Sequence, residues 1–131
     1  MNFEKITINP SELHAHLSHL KNNAATDFDR LNMIVAVDNK ENIELIYDLY
    51  STNRNASERV SVLLDANKPH ATSVVDVYKS AYYDECEIYD LFGVIFDKNP
   101  KLKRLLMPKG WVGHPLRKDY EQNDERLVWN D

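Results

Sequence analysis

The sequence predicts an α+β domain: an antiparallel sheet of about four strands, helices packed on one face, and a loop-rich C-terminal arm. Three observations carry that expectation. Segments between residues 31 and 64 alternate apolar and polar side chains with period two, the mark of half-buried strands. Segments on either side of them space their apolar residues as helices do. All three glycines and three of the five prolines fall at or beyond residue 93, so regular structure gives way to turns there. At 131 residues and 43% hydrophobic content the chain suits one domain with a single core. Within it, residues 1–97 read as the α+β core and residues 98–131 as a basic arm of the same domain.

The first element is a weak strand in which Phe3, Lys5 and Thr7 alternate with Glu4, Ile6 and Ile8. Asn9-Pro10-Ser11-Glu12 then opens a helix: Asn9 can cap it, and proline at the first helical position loses no needed hydrogen bond. Over residues 10–22, Leu13, Leu17 and Leu20 form one apolar stripe. Three strands follow. Their expected core faces are Leu31, Met33, Val35 and Val37; Ile43, Leu45, Tyr47 and Leu49; and Val60, Val62 and Leu64. Short polar links at 38–42 and 52–57 suit antiparallel neighbours. Beyond Pro69 a short helix is expected over 72–78, then a second from Ser80 to Phe92, with Gly93 at the left-handed stop position. Val94, Ile95 and Phe96 can add a short strand before the arm.

Charge is partitioned along the chain. The net value of −5 combines acidic flanks with a belt at 98–118 that holds seven cations and no anion. Such a belt reads as a contact surface. Nucleic acid is disfavoured as its target, because the acidic body repels phosphate and no basic recognition helix or RNA module is visible. No apolar run approaches the roughly 18 residues that span a bilayer, so membrane contact is expected only through partners. The first ten residues lack the basic and apolar regions of a secretory signal, which predicts a cytoplasmic location. A single cysteine, Cys86, cannot hold an iron–sulfur cluster or a cysteine-rich zinc site by itself. His14, His16 and His19 share a helix, but His14 points about 100° or more away from the other two, which disfavours a shared metal.

Two constellations remain. Asp84, Glu87 and Asp90 step along one helix face with Glu85 beside them. They can serve as an acceptor row for the chain's own cations, with Lys103, Arg104, Arg117 and Lys118 folding back toward Glu87 and Asp90. The competing reading is a small free-standing enzyme using Asp, Glu and Tyr in acid–base chemistry, which requires a pocket holding one of these carboxyls at a raised pKa. The second constellation is Trp111, His114, Pro115, Leu116, Arg117, Lys118, Asp119 and Tyr120, which mixes aromatic and arginine side chains of the kind that dominate interfaces with a restrained backbone.

The stretch from Glu85 to Tyr120 resembles the signature block of the 30 kDa subunit of NADH:quinone oxidoreductase, complex I, a family shared with membrane-bound nickel–iron hydrogenases. The resemblance rests on Glu85, Glu87, Asp90, Phe92 and Gly93, on Pro100 and Leu102, on Leu106, Met107 and Pro108, and on Gly113 with Pro115 through Tyr120. Two positions depart from the pattern: Cys86 where arginine is usual, and Asn99 where a histidine commonly precedes the proline. Asn99 is therefore expected to be dispensable for the fold. The resemblance implies a non-catalytic, cofactor-free subunit on the cytoplasmic side of the membrane. Its partners would be the large quinone-site (49 kDa-type) subunit and the small iron–sulfur subunit, within a complex holding iron–sulfur clusters and a quinone. An equivalent place in a nickel–iron hydrogenase or a ferredoxin-linked complex is the alternative.

Overall fold

The computed structural model describes residues 5–104 and 113–118. The chain runs β1 (Lys5–Ile8), a 3-10 turn (Pro10–Glu12), α1 (Leu13–Asn22), β2 (Arg30–Asp38), β3 (Asn42–Ser51), β4 (Ala56–Asp65), β5 (His70–Thr72), α2 (Ala81–Phe92) and β6 (Ile95–Asp97). As the sequence predicts, Asn9 caps the first turn, its Oδ1 accepting from the Ser11 amide at 3.0 Å. Leu13, Leu17 and Leu20 are all buried, together with Ile43, Leu45, Tyr47 and Leu49 of β3 and Val60, Val62 and Leu64 of β4. Each large apolar side chain buried in this way contributes about 1.5–3 kcal/mol.

Four strands lie in the order β1-β4-β3-β2, and the sheet is mixed rather than purely antiparallel. β2 with β3 and β3 with β4 are antiparallel, whereas β1 runs parallel to β4. The cause is topological. The helical connection through α1 returns the chain so that β2 starts in the direction of β1, as crossovers do. Two hairpin reversals then leave β4 pointing the same way. Residues 72–78 also differ from expectation. His70–Thr72 is a strand paired in parallel with β6, and only one turn follows, the amides of Val77 and Tyr78 both reaching the Val74 carbonyl. The Ser73 amide is already committed to the Asp97 carbonyl at 2.8 Å, which draws the start of the expected helix into the small sheet.

A third difference concerns β2. Its register against β3 slips between Leu31 and Met33, a bulge that gives β2 one extra residue. Side-chain alternation reverses there. Leu31 and Ile34 face the core with Asp38, while Met33, Val35 and Val37, expected inside, are exposed on the opposite face. α2 lies along this edge strand and closes part of it: the Asp84 carboxylate accepts from the Ile34 amide at 3.1 Å, and the Ser80 hydroxyl donates to the Leu31 carbonyl at 3.2 Å.

Candidate functional site

α2 is buried on two sides for two reasons. Ala81, Glu85 and Ile88 recur at i, i+4 and i+7 and are buried together, Ile88 as part of the domain core. Cys86 and Asp90, roughly 140–180° around the helix from Ala81, are buried under the arm. The helix stops at Gly93, whose φ of +78° is the left-handed conformation glycine adopts without strain. The His114 ring packs on that glycine: a Cβ added there would lie 2.7 Å from His114 Cδ2.

Glu85 is fully buried and accepts three hydrogen bonds, from Ser73 Oγ at 2.7 Å, the Val74 amide at 2.9 Å and Asn99 Nδ2 at 2.9 Å. One carboxylate thus ties α2 to the strand that precedes it and to the root of the arm. Burial pushes its pKa up, and the three donors only partly offset that. Asn99, expected to be dispensable, is one of the three, and its own Oδ1 accepts from the Lys101 amide at 3.1 Å. A histidine at that position would carry a ring N–H that can serve the same acceptor.

At its C-terminus a helix leaves its last carbonyls without partners. Here the arm supplies them. The Asp90 carbonyl accepts from Arg104 Nη2 at 2.9 Å and contacts His114 Nδ1 at 2.9 Å. The Leu91 carbonyl accepts from the Leu116 amide at 2.8 Å, and the Phe92 carbonyl from Arg117 Nη1 at 3.3 Å. Arg104 also forms an ion pair through Nε with the fully buried Asp90 carboxylate and donates to the Gly113 carbonyl at 2.7 Å. Cations at this end of a helix also complement its dipole. Arg117 Nε lies 3.3 Å from Asp38 on β2, and its Nη2 donates to the Ala66 carbonyl at 2.9 Å. Asp38 accepts the Lys118 amide at 2.9 Å as well. Burial raises its pKa, but the amides of Lys118 and Lys40 and the charge of Arg117 outweigh that and hold it below the usual carboxylate range.

The sequence-derived site residues therefore separate into two groups. Glu85, Asp90, Arg104, His114 and Arg117 act inward, fastening the arm to α2 and β2. Glu87, Lys103, Leu116 and Lys118 are exposed, and Glu87 makes no ion pair among the described residues. Pro115 is half-buried between His114 and Leu116. Trp111, Asp119 and Tyr120 lie outside the described residues. The division follows side-chain chemistry: the planar guanidinium forks of the two described arginines satisfy several acceptors each, and the described lysines of the belt, Lys98, Lys101, Lys103 and Lys118, point their charge to solvent. Sequence reasoning missed Asp38, which it treated as a turn residue, and undervalued Asn99.

A cleft of about 600 Å³ is lined by Ser11, His14, Thr72, Ser73, Asp76, Lys98 and neighbours, with none of Glu85, Glu87 or Asp90 in its wall. Among the described residues no group of three His, Cys, Asp or Glu side chains is placed to hold a metal, and no helix is long and apolar enough to cross a membrane.

A small α+β domain clasped by its own basic arm is thus the class of structure present. The chain belongs to the family described as respiratory-chain NADH dehydrogenase, 30 Kd subunit, whose pattern matches residues 6–126. It is 37% identical over 118 residues to the mitochondrial NADH-ubiquinone oxidoreductase 30.4 kDa subunit of Neurospora crassa, an alignment covering 88% of this chain and 41% of that protein. The chain therefore spans less than half of that relative's length. Among solved structures it is similar to a trypsin-resistant fragment of Nqo5, with a TM-score of 0.66 and 27% identity over 73% of this chain and 80% of the fragment. It is also similar to a chain of an archaeal respiratory membrane complex, the membrane-bound sulfane sulfur reductase, with a TM-score of 0.70 and 25% identity over 94% of this chain and 76% of that one.

Proposed function

We propose that the chain is a cofactor-free structural subunit of the peripheral arm of a complex I-like NADH:quinone oxidoreductase, on the cytoplasmic side of the membrane. Its arm docks against the large quinone-site subunit and the small iron–sulfur subunit, and it supports electron transfer by holding those neighbours at fixed spacing. The observation that carries this reading is the two-sided arm: among its described residues, Arg104, Arg117 and the amides of Leu116 and Lys118 are spent on fixing its own geometry, which leaves Lys103, Leu116 and Lys118 with side chains exposed as a preformed outward surface. Preorganisation of this kind lowers the entropy cost of association. The likeness to the sulfane sulfur reductase complex supports a second reading, in which the parent complex is a hydrogenase-type or ferredoxin-linked enzyme that uses another electron donor.

A free-standing acid–base enzyme is less well supported. Glu85 has the raised pKa that reading needs, but its oxygens are occupied by three internal donors, and Asp90 is covered by Arg104. Purification through a tag on this subunit is the test. Co-purification of a quinone-site or nickel–iron-type large subunit is expected, with Lys103→Glu/Lys118→Glu reducing the yield of complex while the free chain stays folded. A tagged chain that emerges alone and turns over a substrate would overturn the proposal.

A further inference from the structure

The cleft of about 600 Å³ lies where three segments meet: the turn that leads into α1, β5 with the residues after it, and the turn that leaves β6 for the arm. Its wall sets the apolar surface of Ala15, Val75 and Pro100 beside polar side chains, most of which are already matched. Ser11 Oγ donates to Asn9 Oδ1 at 2.9 Å, and Ser73 Oγ donates to Glu85 at 2.7 Å. His14 Nε2 lies 3.0 Å from each oxygen of the Asp76 carboxylate. Thr72 and Lys98 remain, their side chains without a hydrogen-bond or ion-pair partner among the described residues. Both offer donors, an O–H and three N–H groups.

Lys98 is left over for a structural reason. The acid next to it in the chain, Asp97, faces His70 Nδ1 at 3.1 Å, and the acid across the cleft, Asp76, faces His14. The stretch that follows, 98–104, contains no acid, and Lys101 and Lys103 are exposed as well. The Lys98 backbone has a φ of +70°, in the left-handed region that glycine occupies without strain, so the turn keeps a lysine there at a conformational cost. An acceptor that satisfies an ammonium and a hydroxyl beside an apolar wall is a carboxylate on a short hydrocarbon stem. A phosphate dianion fits less well, because the Asp76 side chain, 71% exposed in the same wall, repels its second charge.

We infer that this cleft receives an aspartate or glutamate side chain from a neighbouring protein subunit of the parent complex, with the carboxylate meeting Lys98 and Thr72. The inference rests on the proposed membership of a multi-subunit complex and adds a contact which that reading does not assign.

The experiment treats the parent complex, purified through a tag on the full chain, with a carbodiimide, which joins an amine to a carboxylate only where the two touch, and maps the joined peptides by mass spectrometry. The expected product links Lys98 to an Asp or Glu of another subunit. Lys98→Glu should lower the yield of that subunit roughly tenfold, because like charges then meet in the cleft. Lys98→Gly should lower it too, while the Tm of its free chain does not fall below wild type, since the turn is relaxed. That variant carries the test if Lys98→Glu does not fold, and a merely structural role for Lys98 predicts unchanged or better assembly from it. An intact complex in which Lys98 joins only acids of its own chain, or joins none, refutes the inference while the parent-complex reading survives. Unchanged yield with Lys98→Gly has the same consequence. A wild-type chain that emerges alone refutes both.

Discussion

Replacing Arg104 by alanine tests the attachment of the arm most sharply. The Asp90 carboxylate has no exposed side-chain surface and faces the Arg104 guanidinium, which is itself only 18% exposed. Removing the cation takes this partner from a buried charge, a change that costs about 3–5 kcal/mol in comparable pairs. It also strips one donor each from the Asp90 and Gly113 carbonyls, although the Asp90 carbonyl keeps its His114 contact. Because the arm can lift and admit water, the lower end, about 3 kcal/mol, is the expected loss. A chain of this length gains or loses about 4 °C of Tm per kcal/mol, so Tm should fall by roughly 12 °C. Urea unfolding of wild type, Arg104→Ala, Asp90→Ala and the double variant gives the coupling directly. The double variant should be well short of the sum of the single losses, by about 2 kcal/mol or more. A Tm for Arg104→Ala within about 2 °C of wild type, or strictly additive losses, would refute the claim that this pair holds the arm.

Two buried carboxylates should give pH dependences of opposite sign. Glu85 has a folded pKa above its unfolded one, so the folded state binds more protons in that interval and stability falls as pH rises through the raised pKa. Relative to wild type, Glu85→Gln should therefore look worst at acid pH and improve as pH rises through that window. Asp38 is depressed, so its contribution is present above the unfolded value and lost as pH falls through the folded one, and Asp38→Asn should remove that acid-side loss. Both are read from urea unfolding across a pH series, and parallel curves for wild type and variant would contradict the assignment. Gly93→Ala combines a left-handed backbone with a 2.7 Å approach to His114 and should cost about 1–3 kcal/mol, of which the steric part alone is relieved in a His114→Ala background. Asn99→Ala should cost about 1–3 kcal/mol by leaving Glu85 short of a donor, whereas Asn99→His should stay close to wild type.

What the sequence reveals is what local periodicity can encode. The leucine stripe of α1, the inward faces of β3 and β4, and the stop at Gly93 each follow from residues within one element. The parallel placement of β1 beside β4 depends on how a helix and two hairpins add up, which no single segment records. The bulge at the start of β2 is hidden for a related reason: Leu31, Met33, Val35 and Val37 satisfy the period-two pattern, and only the partner strand shows that one residue is extra. Once the bulge is known, Asp38 becomes legible, since it follows Ile34 and Ala36 at the two-residue step, and a carboxylate at the buried end of a strand requires a cation. Glu85 and Asp90 read as helix-surface acids because burial of a helical acid leaves no local trace. The excess of cations in residues 98–118 points to acceptors on the helix, Glu87 and Asp90; Asp90 takes Arg104, whereas Glu87 makes no ion pair among the described residues and Arg117 goes to Asp38 instead.

Hydrogen–deuterium exchange at the Leu116 and Arg117 amides of the free chain tests the central claim most directly, because these groups donate to the Leu91 and His114 carbonyls at 2.8 and 3.0 Å. The account predicts slow exchange before any partner binds, lost in Arg104→Ala. Exchange at the rate of an unstructured peptide in the wild-type chain, with protection appearing only in the assembled complex, would mean that partners, and not the acidic helix, shape the arm.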